Sequence, residues 1–174
     1  MVVAELGGGH CRNRPLLRKA SPLARILHFE QSQQNVNIAV TQFGVPRDDC
    51  KCKSIQHIDW APMACWLGVV VDQWTLSYLV IKDVEKVLRG VRRALKPSGF
   101  FVVCLPVKLR KGSLRLKNDV GMIYRTTWKY EALFKAAGFV IYTADQKPQE
   151  YVQGTTSDGL EYGREAIWIL TPSD

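Results

Sequence analysis

The chain is expected to fold as an α/β protein, with a mostly parallel twisted sheet flanked by helices and closed by an antiparallel hairpin at its C-terminal end. Three observations predict this. Apolar runs of strand length alternate with helix-like segments along the 174 residues. The first run, Val3 to Leu6, passes straight into Gly7-Gly8-Gly9, where the backbone can turn with φ > 0 and a ligand can approach main-chain N–H groups without a Cβ in the way. Trp66 to Val71 is continuously apolar, as a central parallel strand buried on both faces requires.

The first strand ends at Glu5, and Arg12 to Ala20 follow as a short basic helix that stops near Ser21-Pro22, because proline restricts the residue before it. Ala24 to Phe29 is the second strand and delivers Glu30 at its end. Gln31 to Gly44 reads as a helix, and Pro46 to Lys53 is polar and turn-like. Ser54 to Ile58 reads as the third strand, leading into Asp59-Trp60-Ala61-Pro62. After the strand Trp66 to Val71 comes Asp72-Gln73-Trp74. Val84, Val87, Leu88, Val91 and Leu95 then recur at helical spacing, and Lys96-Pro97-Ser98-Gly99 ends that helix. Phe100 to Leu105 is a further buried strand. Beyond the basic loop Lys108 to Lys117, Thr126 to Ala137 is amphipathic and Gly138 caps it. Val140 to Thr143 and Glu165 to Leu170 are the last two strands.

Length and a 47% hydrophobic content suit one domain over residues 1–174. No apolar run approaches the roughly 20 residues that span a bilayer, and no leader pattern opens the chain, so the expected location is the cytoplasm, with the nucleus also allowed and no membrane partner. Cys11, Cys50, Cys52, Cys65 and Cys104 are an odd set without a secretory context, and Cys50-Lys-Cys52 lacks a second pair at zinc spacing. Reduced thiols and no metal site are expected. The formal charge of +8 permits nucleic acid as a partner without requiring it.

The glycine turn carries the chemistry. A dinucleotide fingerprint would place a third glycine at position 12, where this chain has Arg12, too bulky for close helix–strand packing. The spacing instead resembles the acid-x-Gly-x-Gly-x-Gly motif of class I S-adenosylmethionine-dependent methyltransferases, with Glu5 as the acid, Gly7 and Gly9 as glycines, and Cys11 in place of the third. Glu30 lies about 20 residues past the glycines, where such a βαβ unit sets an acid against ribose hydroxyls.

From Trp66 onward the chain is similar to the alpha-N-terminal protein methyltransferases. The resemblance lies in Val71-Asp72-Gln73-Trp74, in Leu95-Lys96-Pro97-Ser98-Gly99, and in Tyr124-Arg125 followed by Leu133-Phe134 and Ala137-Gly138-Phe139. It implies a Rossmann-like methyltransferase fold, S-adenosylmethionine as cofactor and N-methylation of the α-amine of a protein N-terminus of Xaa-Pro-Lys type. It further implies that Gly7 and Arg12 hold the methionine part of the cofactor, that Glu30 holds the ribose, that His57, Ile58 and Asp59 flank the adenine, and that Gln73 sits beside the sulfonium. Trp74 would wall the substrate pocket, with Tyr78 and Asn118 as further substrate contacts. Asp119 is the one candidate for the family's carboxylate base, one position out of register, with Tyr78 as a partial catalytic substitute.

Besides the displaced acid, two departures count against turnover. The family's Lys-Asp/Glu-Asn strand end is Cys104-Leu105-Pro106 here, and its N-terminal lid helices have no counterpart. The alternative expectation is therefore a methyltransferase-fold module that binds a protein or nucleic acid without catalysis.

Overall fold

The computed structural model describes residues 1–11, 13–107, 121–142, 149–155 and 161–173. Its elements are β1 (Val2–Leu6), α1 (Arg14–Ala20), β2 (Arg25–Glu30), α2 (Gln33–Phe43), β3 (Cys50–Cys52), β4 (Leu67–Gln73), α3 (Ile81–Ala94), β5 (Leu95–Val107), α4 (Thr127–Ala136), β6 (Phe139–Ile141), β7 (Gln149–Thr155) and β8 (Glu161–Pro172). They build one sheet in the order β3-β2-β1-β4-β5-β8-β6, with β7 also paired to β8. The pairs from β3 through to β5 are parallel, and β8 runs antiparallel to β5, β6 and β7. Strand order reverses at β1, which lies between β2 and β4, so the carboxyl ends of β1 and β4 border the crevice where such sheets take ligands.

The larger core lies on the sheet face that carries Val70, Phe101, Val103, Trp168 and Leu170, all 0% exposed. Helix α3 covers it with Val84, Val87, Leu88, Val91 and Ala94, one stripe at three- and four-residue spacing. Helix α4 adds Tyr130 and Phe134, whose rings pack edge-on against Trp168 with centroids 5.7 and 5.4 Å away. Gly90 of α3 is required by close approach: a Cβ there would lie 2.1 Å from the Trp60 ring. Arg92 ties the C-terminal segment down by donating to the carbonyls of Gly138, at 3.0 Å, and of Ser173. On the opposite face, α2 starts at a Ser32 cap, whose hydroxyl accepts the Asn35 N–H, and ends at Gly44 in the left-handed region.

The sequence-based expectation and the structure part company at the third strand. It is Cys50–Cys52, inside the stretch expected to be a turn, and pairs with His28 to Glu30 of β2. Ile55–His57 instead form a 3-10 turn. The reason is the spacing of the buried residues: Ile55 and Ile58 are three apart, which a 3-10 turn brings to one side and a strand would send to opposite faces. Strand β5 also starts earlier than expected, at Leu95. The pairing steps from Leu67↔Leu95 to Val69↔Phe100, so Lys96 to Gly99 are absorbed as an irregularity within the strand. Strand β7 was not expected at all, and β8 is longer than the run Glu165 to Leu170.

Candidate functional site

A cavity of about 480 Å³ opens at the carboxyl ends of β1, β2 and β4. Gly7 lines it from β1 and Glu30 from β2, with Gln31 and Asn35 beside it. Lys53, Ser54, Ile55 and Gln56 come from the loop after β3, while Gln73, Trp74, Thr75, Tyr78 and Leu79 come from the end of β4. The volume lies within the roughly 300–1,000 Å³ of small-molecule and cofactor sites.

The glycine turn alternates in backbone hand. Gly7 has φ +62°, Gly9 +54°, and Cys11, standing where the motif's third glycine would be, +63°. A Cβ on Gly7 would collide with the Thr75 hydroxyl at 2.1 Å, so glycine is needed there for space as well as for conformation. Cys11 accepts the left-handed strain and is buried. Desolvation there, followed by the nearby Glu5 carboxylate, pushes its thiol up to about 12.

Glu30 is the keystone of the loop. One carboxylate oxygen accepts the Gly9 N–H at 2.9 Å, and the other accepts the Ser32 N–H at 2.8 Å and the Asn35 amide at 3.4 Å. The oxygen that accepts the Gly9 N–H keeps a further lone pair for a ligand hydroxyl, while the other has both of its acceptor sites taken.

Glu5 is displaced from its expected role. It is 1% exposed, does not line the cavity, and places Oε2 2.6 Å from His28 Nδ1 beneath the turn. A Cβ on Gly8 would lie 2.9 Å from that same oxygen, so the turn rests directly on the carboxylate. Glu5 faces inward because it shares its sheet face with Val3, two residues before it. Arg14 Nη1 lies 3.1 Å from His28 Nε2, and arginine can only donate, so Nε2 accepts and Nδ1 carries the proton towards Glu5. Glu5, Cys11 and His28 have polar atoms within 4.8 Å of one another, but a protonated Nδ1 has no lone pair for a metal.

His57, Ile58 and Asp59 do not line the cavity either. Because β3 ends at Cys52, the residues at its carboxyl end are Lys53 to Gln56, and Ile58 is buried in the core. Gln73, Trp74 and Tyr78 line the cavity, with Tyr78 half exposed. Arg12, Asn118, Asp119 and the basic loop Lys108 to Lys117 lie outside the described residues.

At the end of β4, Trp74 takes φ +71°, a left-handed conformation that costs a bulky residue on the order of 1–3 kcal/mol. The 3-10 turn Thr75–Tyr78 begins there. Two residues before Trp74, Asp72 is 0% exposed, and burial pushes its carboxyl up to about 7 against the opposing hydrogen bonds from Leu76 and Thr75. Sequence reasoning placed Asp72 at a strand end without giving it a role; the signal was a carboxylate closing an otherwise apolar strand. On β5, the Cys104 thiol donates to Glu165 at 3.3 Å, and burial, then Glu165, pushes it up to about 12. Leu105 and Pro106 beyond it are buried.

Residues 4–103 match the family described as Methyltransferase domain. An Arabidopsis thaliana protein, Alpha N-terminal protein methyltransferase 1, is 33% identical over 95 residues, which is 53% of this chain and 34% of the relative. The chain thus spans about a third of the length of that curated relative. A SAM-dependent methyltransferase from Leishmania major superposes with a TM-score of 0.74 at 19% identity, covering 98% of this chain and 64% of that one. The [4+2]-cyclase SpnF superposes with a TM-score of 0.75 at 15% identity, covering 99% and 76%. Such likenesses carry the fold, and a cyclase among them shows that the fold does not by itself dictate methyl transfer. The cavity fits S-adenosylmethionine, the cofactor of this domain, in size, in the cradle that a Cβ at Gly7 would fill, and in the acid at the end of β2. With residues 4–103 matched and β1 to β5 arranged around that cavity, the chain belongs to the methyltransferase-domain family.

Proposed function

We propose that the chain binds S-adenosylmethionine in this cavity and methylates the α-amine of a protein N-terminus of Xaa-Pro-Lys type. The observation that carries the reading is the convergence of Gly7 and Glu30 with Gln73, Trp74 and Tyr78 on one cavity at the β1/β4 crevice. The amine substrate rests on the partial relative and on the Gln73-Trp74 resemblance.

When bound, the cofactor supplies a sulfonium methyl group, whose C–S bond breaks as the amine lone pair forms the N–C bond, leaving a thioether. The chain's part is orientation and management of one proton. Glu30 takes a ribose hydroxyl on its remaining lone pair and Arg12 pairs the carboxylate of the methionine part. Gln73 and Trp74 wall the reacting end. An α-amine with an ordinary pKa near 8 is partly neutral at pH 7, so one nearby acceptor suffices. Asp119 is proposed as that acceptor, with Tyr78 and Asn118 contacting the substrate. The reading keeps residues 1–174 as one domain acting in the cytoplasm or nucleus.

A second reading is a module that binds a partner without turnover. It is favoured by the β5 end, where Cys104 is engaged by Glu165 and followed by Leu105 and Pro106, so that no side-chain amide stands where the family holds its substrate amine.

Calorimetric titration with S-adenosylmethionine, followed by methyl transfer to an Xaa-Pro-Lys peptide, tests the first reading. Nucleic-acid binding at two salt concentrations, with and without neutralisation of Lys108, Arg110 and Lys111, tests the second. Turnover without salt-sensitive binding refutes the module. Salt-sensitive binding without turnover refutes the enzyme.

A further inference from the structure

Among the described residues, four buried polar atoms on the α3–α4 side of the sheet find no hydrogen-bond partner of good geometry: Asp72 Oδ1, Arg125 Nη1, the Tyr130 hydroxyl and Trp168 Nε1. Register puts their residues in one neighbourhood. Asp72 lies opposite Val103, and Val103 lies opposite Trp168. The Tyr130 ring packs 5.7 Å from Trp168, with the Arg125 guanidinium 5.6 Å from the same ring. A fully buried carboxylate here, on the face where Val70 packs one step earlier, is a cost that packing would not retain.

Its retained use is local. The second oxygen of Asp72 accepts the Leu76 N–H at 3.3 Å, and the Thr75 N–H also faces the carboxylate. Asp72 thereby anchors the start of the Thr75–Tyr78 turn, immediately after the left-handed Trp74. The Thr75 hydroxyl has one hydrogen, which it donates to the Leu6 carbonyl at 3.0 Å, and its side chain fills the space above Gly7. The far end of the turn is held as well: Arg125 donates to the Leu79 carbonyl, and the Ile123 N–H donates to Ser77 at 2.7 Å.

We propose that Asp72 is a positioning residue for the cofactor site, holding the Trp74 turn so that Thr75 locks onto the first glycine and Gln73, Trp74 and Tyr78 face the cavity. Asp72 touches neither cofactor nor substrate and acts through Thr75 and Leu76. The proposal rests on the cofactor reading above, and its test separates the two.

S-adenosylhomocysteine binding by calorimetry, thermal melting, and amide exchange at Leu76 in the cofactor-free protein are measured for wild type, Asp72→Asn, Asp72→Val, Thr75→Val and Thr75→Ser. At pH 8, where the carboxyl is ionised, Asp72→Val removes a buried charge, so the protein melts higher. It also loses the anchor, so the Leu76 amide exchanges about 10- to 100-fold faster and the ligand binds about 10-fold more weakly, the scale of one hydrogen bond. Stability and affinity moving in opposite directions is a result that a merely structural role does not produce. Asp72→Asn keeps the acceptor and therefore the slow exchange and the affinity. Thr75→Val weakens binding, and Thr75→Ser restores it. Wild-type affinity together with slow Leu76 exchange in Asp72→Val overturns the proposal while leaving the cofactor reading intact. No binding heat in wild type refutes the cofactor reading, and the proposal with it.

Discussion

Asp72→Asn is expected to stabilise the protein by an amount that grows with pH. The substitution keeps the shape and the acceptor for Leu76 while removing a proton equilibrium. In the folded protein the carboxyl is raised from 3.8 to about 7, first by burial. Between those values the folded state holds a proton that the unfolded state has released, so wild-type stability falls as pH rises from about 4 to about 7 and then levels off. A shift of about three units corresponds to roughly 4 kcal/mol at full extent. Part of that is already present at pH 5, which leaves about 3 kcal/mol of difference between mutant and wild type to develop from pH 5 to pH 8. For a chain of this size that is about 6–12 °C in melting temperature. Urea unfolding of both proteins at pH 5, 6, 7 and 8 reads the effect directly. A mutant advantage that stays constant across that range, or a mutant less stable than wild type at pH 8, would refute the account of Asp72 as a buried, titrating carboxylate.

Other substitutions test the architecture around the site. Glu30→Ala should weaken S-adenosylmethionine binding by about 1–3 kcal/mol, because it removes the proposed ribose acceptor and frees Gly9 and Ser32, as calorimetry would show. Gly90→Ala should destabilise the protein by about 1–3 kcal/mol in chemical denaturation despite the better helix propensity of alanine, because the new methyl meets the Trp60 ring at 2.1 Å. Arg92→Ala should cost about 1–3 kcal/mol and speed amide exchange at Ser173, whose N–H bonds to Gly138 beside the lost contact. At pH 8 the exposed Cys52 should react with a thiol reagent well before Cys11 and Cys104, both of which burial pushes up to about 12.

The parallel sheet was legible because its signals are repeated and local: the continuous apolar β4, the stripe of α3 and the glycine C-caps each depend on few neighbours. That Glu30, Gln73, Trp74 and Tyr78 meet at one cavity was legible because strand ends in this architecture face one crevice. Glu5 was misplaced because a motif fixes residue type and spacing but not the side on which the strand's alternation sends a side chain. Here Glu5 follows Val3 inward and meets His28. His57, Ile58 and Asp59 fall outside the cavity because a three-residue strand, Cys50–Cys52, has no period to read, and its existence depends on the β2 edge beside it. Thr75 and Asp72 were missed as a pair because their link to Gly7 spans almost seventy residues of sequence and exists only after β1 and β4 lie side by side.

The placement of β8 between β5 and β6 also bears on how the chain reaches this state. During synthesis β6 is made before the strand it pairs with, and β5 waits with an open ladder from Phe101 to Val107. Until β8 inserts, that ladder is an adhesive edge of mostly apolar residues in the nascent chain. The final insertion therefore converts an aggregation hazard into the centre of the C-terminal half of the sheet, and any change that delays it should appear first as lost soluble yield rather than as lost stability.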